Sequence, residues 1–536
     1  MENDEYTKHE KNHVENTYAE DGTESVALPT LQRQLKNRHI AMISIGGVIG
    51  TGLFLGTANA LMHGGPAGLL LGYAVMGTIC FAVMNCLGEM VSYLPVPGGH
   101  IKLAERFVDP ALGFAMGWNY WYNWVIVLPA ELSAAAVLIN YWNQTINNAA
   151  WITICLAIVV AINFMGARAY GEAEFWFASI KVLTIIGLII LGIVIAAGGG
   201  PNHIATGISY WQNPGPWVQY KGIPGALGRF LGFFAVLIQA AFSYIGTEIV
   251  AIAAGEAKNP RKNIPKAIRK VYIRIVLFYL LGTFIIGLIC ASNDPKLLNG
   301  SGSDAASSPF VIGIENAGIP VLPSLINACL LTSAWSAASS DMYTSSRALF
   351  GLAISGSAPK IFAKTTKRGL PYPALIVSVL FSLLAYMAVS AGAWTVFGYF
   401  ANMTSICGLI TWTFISITYI RFHAGMKAQG INRSELPFKS ILGIFGGWYV
   451  LVSTTIIIFL SGWQVFLAGE WDTASFITQY LPIPVAVLLF FGYKFFMKTH
   501  WNRVEEMDFH TGLAEIEADT DDEVPTTIMG KFFNAL

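Results

Sequence analysis

Two apolar stretches of the chain contain short strings that suit the binding of a small charged molecule. The first string is Gly46–Gly52 (Gly-Gly-Val-Ile-Gly-Thr-Gly), with four glycines in seven residues. The second is Phe242–Glu248 (Phe-Ser-Tyr-Ile-Gly-Thr-Glu), which includes a carboxylate. Glycine weakens a helix by about 1 kcal/mol relative to alanine, so the glycine cluster favours local unwinding. Because unwound backbone inside a bilayer must be buried in protein or line a wet cavity, we predict two interrupted helices around a binding site.

The two interruptions would expose backbone groups of opposite polarity. Free amides at the N-terminus of a half-helix bind a carboxylate, and free carbonyls at an opposing C-terminal end bind an ammonium or a cation. A zwitterionic amino acid carries both groups. The strings also lie in the first span of each of two sets of five spans, and such paired interruptions point to the midplane site of a transporter. The predicted substrate-binding residues are Val48, Ile49, Gly50, Thr51, Gly52, Phe242, Ser243, Tyr244, Ile245 and Gly246.

Helix packing and nucleotide binding are the alternative roles for the first string. Glycines in membrane helices commonly mediate close helix contacts, and Gly52-x-x-x-Gly56 fits that pattern. A single glycine cluster favours packing, whereas the matched pair of interruptions favours a binding site. Gly47-x-x-Gly50-x-Gly52 follows no strand and lies in an apolar span, which argues against a nucleotide.

Four ionisable residues lie deep in apolar spans: Glu131, Lys181, Glu248 and Asp341. A charge at the bilayer centre costs about 2.5–3.5 kcal/mol, so each must be paired, neutralised or directed into a cavity. All nine histidines lie outside the deep spans, which disfavours a histidine proton relay. We predict proton coupling at Lys181, Glu131 and Glu248, although the two glutamates could instead satisfy backbone groups that the interruptions free.

Lys181 and Asp341 each have a structural alternative. A buried lysine can gain and lose a proton near neutral pH, and its ammonium could occupy the place of a sodium ion. Lys181 could instead extend to the inner surface, but the nearest inner-end acids, Glu172 and Glu174, lie about two turns away. Asp341 belongs to the polar strip Ser339–Arg347, where it could line the substrate pathway or pair with the arginine.

The composition is that of a membrane protein. The 536 residues are 54% hydrophobic and 12% charged, against about 25% charged in a typical soluble protein. Lys and Arg together number 32, as do Asp and Glu, so no net charge attracts a nucleic acid. The polar residues fall in short segments between apolar runs, each long enough to cross about 30 Å of hydrocarbon. An ordinary soluble enzyme and a disordered protein are therefore excluded.

The apolar runs predict an all-α membrane protein with twelve spans. A cytosolic disordered tail is expected over 1–36, a transporter domain over 37–499 and a second cytosolic tail over 500–536. The predicted spans are 40–61, 67–91, 112–142, 150–168, 173–197, 228–254, 271–292, 320–352, 373–391, 394–421, 444–468 and 478–498.

Basic residues predict that both termini are cytoplasmic. With this orientation the external loops keep only Lys221, Arg229 and Lys296, Lys181 lies within a span, and the other Lys and Arg residues lie inside. That asymmetry follows the positive-inside rule.

The sequence contains no group of residues that indicates an enzyme. The six cysteines have neither metal nor disulfide spacing and are interpreted as packing residues. An integral membrane enzyme would need a metal or nucleophile constellation, which the sequence lacks. We expect no cofactor and no metal, with a proton gradient as the driving force.

Several longer motifs together resemble one family, the fungal amino-acid permeases (the yeast amino acid transporter family of the amino acid–polyamine–organocation superfamily). The resemblance extends from about Leu35 to His500. Its marks are Leu35-Lys-Asn-Arg-His39, Ile45-Gly-Gly-Val-Ile-Gly-Thr-Gly-Leu53, Gly88-Glu-Met90, Asp109-Pro-Ala-Leu-Gly-Phe114, Phe242-Ser-Tyr-Ile-Gly-Thr-Glu248 and Gly255-Glu-Ala-Lys-Asn-Pro-Arg-Lys262.

The resemblance implies a five-plus-five inverted repeat with broken helices 1 and 6 and two extra helices. It also implies uptake of amino acids with protons at the plasma membrane. By the same resemblance, the amides of Thr51 and Gly52 hold the substrate carboxylate. Carbonyls near Val48 and in Phe242–Ile245 hold its ammonium, with Phe242 as an aromatic gate.

The proton-coupling residues also match family positions. Lys181 resembles the lysine that stands where sodium-coupled relatives bind sodium, and Glu131 matches an acidic position of the family. Glu248 would support the second interruption.

The sequence indicates the family more clearly than it indicates the substrate. Many relatives have Asn-Ser-Asn in span eight, where this chain has Ser339-Ser340-Asp341. Asp341 resembles the dicarboxylic amino-acid subgroup, yet like charges repel, so it is a poor marker of an acidic substrate. We predict a broad range or neutral amino acids including proline. A dicarboxylic amino-acid permease and an amino-acid sensor are the alternatives, and the short tails disfavour the sensor.

Overall fold

The computed structural model of the chain describes residues 49–96, 98–249, 265–266, 268, 271–300, 308–367 and 369–511. Over these ranges every regular element is a helix. In chain order, the described helices of at least eight residues are α1 Thr57–Tyr93, α2 Gly99–Phe107, α3 Pro110–Asn140, α4 Asn148–Phe164, α5 Ala167–Ala196, α6 Gly225–Tyr244, α7 Leu281–Ile289, α8 Pro309–Asn316, α9 Leu322–Ile354, α10 Tyr372–Ser382, α11 Ala393–Ala428, α12 Gly443–Leu460, α13 Thr473–Tyr480 and α14 Pro482–Met497.

The helices confirm an all-α protein that passes a membrane several times. In the described part of the chain, nine helical stretches are long and apolar enough to cross a bilayer. The helix α4 is apolar but has only 17 residues, and α9 has 33 residues and contains the polar strip. The count of twelve spans stays a prediction. The predicted tail 1–36, the start of the first string including Val48, and the motif 255–262 lie outside the described residues.

Local sequence signals set the starts of several helices. Asp109 accepts a hydrogen bond from the amide of Ala111 at the start of α3, where proline occupies the first turn. Asn147 does the same for Ala149 at the start of α4. Side-chain oxygens at these positions satisfy amides that the first helical turn leaves without partners.

The first two predicted spans are joined by a sharp kink and not by a loop. Gly65 has φ +71° within α1, and Pro66 follows it. A Cβ on Gly65 would lie 2.7 Å from the carbonyl oxygen of Pro216, which accepts a hydrogen bond from the amide of Ala67. Only glycine combines this backbone conformation with so close an approach.

The structure contains the interruption predicted in span six. The helix α6 ends at Tyr244, Ile245 is extended with ψ 145°, and Gly246 has φ +92°. The first interruption is described from Ile49 onward. Ile49 and Gly50 are not helical, and the chain then enters a π-helical turn at Gly52–Gly56 that leads into α1.

The core lies around α3, which packs against α9, α11 and α14, while α1 packs along α6. By contrast, α14 exposes large apolar side chains such as Leu488, Phe495 and Phe496. Exposed apolar side chains on a long helix are typical of a surface that faces lipid tails. The helix α3, which holds Glu131, is therefore shielded from lipid, whereas α5, which holds Lys181, also exposes apolar side chains such as Trp176 and Leu183.

The start of the predicted C-terminal tail packs against the helices. Asn502 donates hydrogen bonds to the carbonyl oxygens of Glu105 and Arg106, both at 2.8 Å. Phe509 is buried against Phe107 and Phe422. Residues up to Thr511 therefore cover the predicted cytoplasmic ends of α2 and α11.

An ion pair between the buried Glu89 and the partly exposed Arg433 ties α1 to the segment that follows α11. The fully buried Glu89 accepts hydrogen bonds from Arg433 at 2.6 and 2.8 Å. Tyr419 of α11 and the amide of Ser440 donate to the same carboxylate at 2.8 and 2.7 Å. Because a buried carboxylate without partners is costly, these donors explain how Glu89 of the Gly88-Glu-Met90 motif is tolerated.

Removal of Arg433 should destabilise the fold. We expect Arg433→Met to lower the free energy of unfolding by about 3 kcal/mol, at the low end for a broken buried pair because Tyr419 and Ser440 still donate. The measurement is the thermal midpoint of the purified protein in detergent. The matched control is Arg503→Met, because Arg503 and its partner Glu506 are exposed, at 78% and 68% of their side chains. Equal thermal midpoints for the two variants would contradict a stabilising role for the ion pair of Glu89 and Arg433.

Candidate substrate site

The two predicted interruptions meet in the folded chain. A Cβ on Gly52 would lie 2.8 Å from Oγ of Ser243 and 3.0 Å from Cδ1 of Phe242. No side chain fits at position 52 without displacing the second interruption. The close packing at Gly52 is therefore itself the contact that joins the two interruptions.

Tyrosine hydroxyls connect the two interruptions. Tyr73 of α1 shares a 2.8 Å hydrogen bond with Oγ of Ser243 and donates to the carbonyl of Gly52 at 3.4 Å. Tyr279 donates to the carbonyl of Ser243 at 2.8 Å, and Tyr244 donates to the carbonyl of Tyr73 at 3.0 Å. These bonds satisfy backbone groups that the interruption frees and hold the two segments in register.

Tyr73 and Tyr279 were not among the predicted site residues. The chain has 21 tyrosines, and most tyrosines in membrane helices serve at the interfaces or in packing. Their position in the middle of a long apolar helix was the available signal, because a buried hydroxyl needs a partner.

Thr51 joins the first interruption to α3. Its hydroxyl donates to Oε1 of Glu131 at 2.8 Å, and a Cβ on Gly50 would lie 3.9 Å from the same oxygen. Ile49 is fully buried beside them. The predicted residues Ile49, Gly50, Thr51 and Glu131 are therefore brought together, whereas Val48 lies outside the described residues.

Aromatic and aliphatic side chains surround the second interruption. The ring of Phe242 packs edge-on against Phe397, with centroids 5.7 Å apart. Ile245 lies against Gly408 of α11, where a Cβ would be 2.4 Å from its side chain. A Cβ on Gly246 would lie 3.1 Å from the ring of Trp124. These contacts pack the second interruption against α3 and α11, and the role of Phe242 as an aromatic gate stays a prediction.

Glu248 lies at the second interruption, in the structural role that the sequence offered as an alternative. Its Oε2 accepts a hydrogen bond from the amide of Gly246 at 3.2 Å and one from Nε1 of Trp412 at 3.3 Å. The side chain is buried. It satisfies an amide that the broken helix frees.

Lys181 and Glu174 form a buried pair in the interface of α5 and α9. Their Nζ and Oε1 atoms are 3.9 Å apart, and both side chains are at most 1% exposed. Ser336 of α9 donates to the other oxygen of Glu174 at 2.5 Å. Lys181 therefore lies inside the protein. Glu174, which the sequence places at the inner end of the span, was not among the predicted site residues.

Asp341 belongs to the same charged cluster. It is buried within electrostatic range of Glu131, Lys181 and Glu174. Arg347, which the sequence offered as its partner, stacks on the ring of Tyr343 at 3.2 Å. Residues from α3, α5 and α9 thus bring three carboxylates and one lysine together next to the first interruption.

Each carboxylate of this cluster has an oxygen with capacity for a further bond. Among the described residues, no hydrogen bond reaches Oε2 of Glu131, Oε1 of Glu174 or Oδ2 of Asp341. All three oxygens are buried. Each can accept a proton or a cationic group, which is the chemistry that proton coupling or ammonium binding requires.

These features define a class of protein. A multi-pass helical protein with interrupted helices that meet beside a buried charged cluster has the architecture of a membrane transporter. Comparison with known proteins identifies the family: residues 39–506 match the model described as amino acid permease, and the chain belongs to that family.

Named relatives cover most of the chain. It is 46% identical over 486 residues to the dicarboxylic amino acid permease of Saccharomyces cerevisiae, covering 90% of this chain and 80% of the relative. It is 43% identical over 492 residues to the proline-specific permease of Emericella nidulans, covering 91% and 89%. It is 42% identical over 515 residues to the lysine-specific permease of Saccharomyces cerevisiae, covering 94% and 83%. The predicted resemblance is confirmed: the protein is an amino-acid transporter and not an enzyme.

The contact at Gly52 can be tested with a matched pair of glycine variants. We expect Gly52→Ala to reduce amino-acid uptake about tenfold or more, because an added methyl group must displace Ser243 or Phe242. Overpacking costs about 1–3 kcal/mol, and 1.4 kcal/mol corresponds to a factor of ten. The control is Gly56→Ala, where a Cβ has no neighbour within 4 Å.

Initial uptake rates, corrected for the amount of tagged protein at the cell surface, measure the effect. Similar uptake rates for Gly52→Ala and Gly56→Ala would contradict the prediction that transport requires close contact between the two interruptions.

Proposed function

We propose that this protein is an L-amino-acid importer of the plasma membrane that carries its substrate together with protons. The proposal includes twelve spans, of which ten form two inverted sets of five, and places both termini in the cytoplasm. The substrate binds between the interruptions, and alternating access exposes that site to one side of the membrane at a time.

The observation that carries the proposal is the contact between the two interruptions beside Glu131. Gly52 approaches Phe242 and Ser243 at the end of α6 so closely that a Cβ would lie 2.8 Å from Oγ of Ser243. The end of α6 presents carbonyl groups, which favour an ammonium. A bound zwitterion therefore has complementary partners for its two charged groups within one small region.

Proton coupling is supported by the cluster around Lys181. A lysine at this depth supplies a fixed cation when protonated and none when neutral, so its proton changes the charge that the substrate meets. Coupling follows if the protonated and neutral forms prefer different transporter conformations. Sodium is not needed, because the ammonium can occupy a cation position.

The charges around the site favour a neutral amino acid. An additional carboxylate on the substrate would be repelled by the acidic majority of buried groups. Among the described residues, the buried ionisable groups of the central helices include the acids Glu131, Glu174, Glu248 and Asp341 and the bases Lys181 and Arg274. We therefore propose neutral amino acids including proline, with a broad range.

A dicarboxylic substrate is the second candidate. The observation in its favour is the 46% identity to a relative named as a dicarboxylic amino acid permease. Protonation of the acids near the site would reduce the repulsion that a second substrate carboxylate meets. Glutamate and aspartate must therefore be included in any substrate test.

The test is uptake of radiolabelled amino acids by permease-deficient cells that express the full chain. We expect accumulation that is stronger at acid than at neutral pH, with proline and other neutral amino acids preferred. Lys181→Ala should abolish the pH-driven accumulation, because the buried ammonium beside Glu174 is lost.

Replacement of sodium by potassium in the medium is the control for the coupling ion. Sodium-dependent uptake without pH dependence would contradict the mechanism. Preferential uptake of aspartate and glutamate would contradict the proposal of neutral substrates and support a dicarboxylic amino-acid permease. Absence of uptake at either pH, with the protein at the cell surface, would favour the sensor.

A further inference from the structure

We propose that Glu174 receives the transported proton from Lys181 and passes it toward the cytoplasm along the interface of α5 and α9. The inference depends on the proposed proton-coupled function. It adds a residue that accepts the proton and the direction in which the proton moves. Its starting observation is the buried pair of Lys181 and Glu174, with Nζ and Oε1 3.9 Å apart.

The two residues share one face of α5. They are seven residues apart, which is close to two helical turns, so their side chains lie one above the other. Glu174 is the nearer of the two to Ala167, where α5 begins on the predicted cytoplasmic side. A proton that moves from Lys181 to Glu174 therefore moves inward.

The transfer is a simple acid–base step. An N–H bond of the Lys181 ammonium breaks and its electron pair stays on nitrogen, while an O–H bond forms at Oε1 of Glu174. Oε2 already accepts the hydrogen bond from Ser336 at 2.5 Å, whereas Oε1 accepts none from the described residues. The proton thus has an oxygen at which to bind.

The separation of the pair provides a conformational control on this step. A distance of 3.9 Å exceeds the roughly 2.7–3.2 Å of an N–H···O hydrogen bond. Lys181 and Glu174 must approach before the proton can move. Movement of α5 relative to α9 during alternating access would make transfer possible in one state and prevent it in another.

Polar groups continue from Glu174 toward the predicted cytoplasmic surface. One turn below Glu174, the hydroxyl of Tyr170 shares a 3.0 Å hydrogen bond with Oγ of Ser340. The ring of Tyr170 stacks on Tyr343 with centroids 4.0 Å apart, and the partly exposed Arg347 covers Tyr343. These side chains supply hydroxyl groups on the predicted cytoplasmic side of Glu174.

Within the described part of the chain, few charged groups other than Lys181 face Glu174 from the neighbouring helices. The helix α9 contributes Asp341 and Arg347, and α3 contributes Glu131 through its interaction with Lys181. Asn163 of α4 is uncharged and bonds the carbonyl of Ser339. The outer helices α7 and α8 add only Glu315, which pairs with Lys296 at the other end of α5. Lys181 is therefore the proton donor for Glu174.

The test compares net uptake with substrate exchange in proteoliposomes that contain the purified full chain and the substrate identified in cells. Net uptake driven by an inward proton gradient requires release of the proton inside. Exchange of external labelled substrate for internal unlabelled substrate at equal pH does not. A residue that releases the proton should affect only the first process.

We expect Glu174→Gln to reduce net uptake by about 100-fold, the scale of a lost proton-transfer group, and to leave exchange active. Glu174→Asp keeps an acid and should restore part of the net uptake. The control is Glu506→Gln, which removes an acid whose side chain is 68% exposed and should leave both processes unchanged.

Ser336→Ala is the second variant, because it keeps the carboxylate and removes only the hydrogen bond to Oε2. We expect it to shift the pH dependence of net uptake while exchange continues. Loss of exchange together with net uptake in Glu174→Gln, or full net uptake in that variant, would overturn the inference. Absence of proton-driven uptake by the unaltered protein would instead reject the proposed function itself.

Discussion

A helix that is interrupted inside a bilayer leaves backbone donors and acceptors that no water can satisfy, and this demand governs the centre of the protein. The hydroxyl of Tyr279 binds the carbonyl of Ser243, and the carboxylate of Glu248 binds the amide of Gly246. Tyr73 reaches both interruptions from α1. The bonds of Tyr73 connect the first interruption to the second, whereas the bond of Glu248 lies within the second. The arrangement of the proposed substrate site therefore follows from how the broken backbone is satisfied.

Buried charged side chains also need partners, and these partners lie on neighbouring helices. Lys181 and its neighbouring acids are buried at the meeting of α3, α5 and α9, where an isolated charge would be costly. Grouping them allows each charge to be offset by another, and a proton can redistribute among them without leaving the protein. In the proposed mechanism the pair of Lys181 and Glu174 adds a direction to this redistribution, because α5 places the acid on the predicted cytoplasmic side of the lysine. A change in helix packing that alters their distance would then link proton movement to substrate access.

The family provides one scaffold for several named substrates. Relatives at 42–46% identity are named as dicarboxylic, proline-specific and lysine-specific permeases. In the proposed site, backbone groups near Gly52 and Ser243 would bind the groups that every amino acid has, so they would not distinguish among these substrates. Discrimination must depend on side chains that face the substrate's own side chain, and the buried charge around the site is one such property.

Sequence patterns were sufficient for the class of the protein and for the interruption that the structure contains in span six. Hydropathy indicates which helices can cross a membrane, because a membrane helix satisfies its own backbone groups. A glycine cluster marked the first interruption, and a carboxylate deep in an apolar span marked the second. The contacts across helices required the tertiary structure. Glu174 lies seven residues from Lys181, but only the packing of α9 on α5 shows that the acid is buried and bound by Ser336. Tyr73 and Ser243 are 170 residues apart, and no local pattern predicts such a pair, because helix–helix contacts depend on shape and position along each helix.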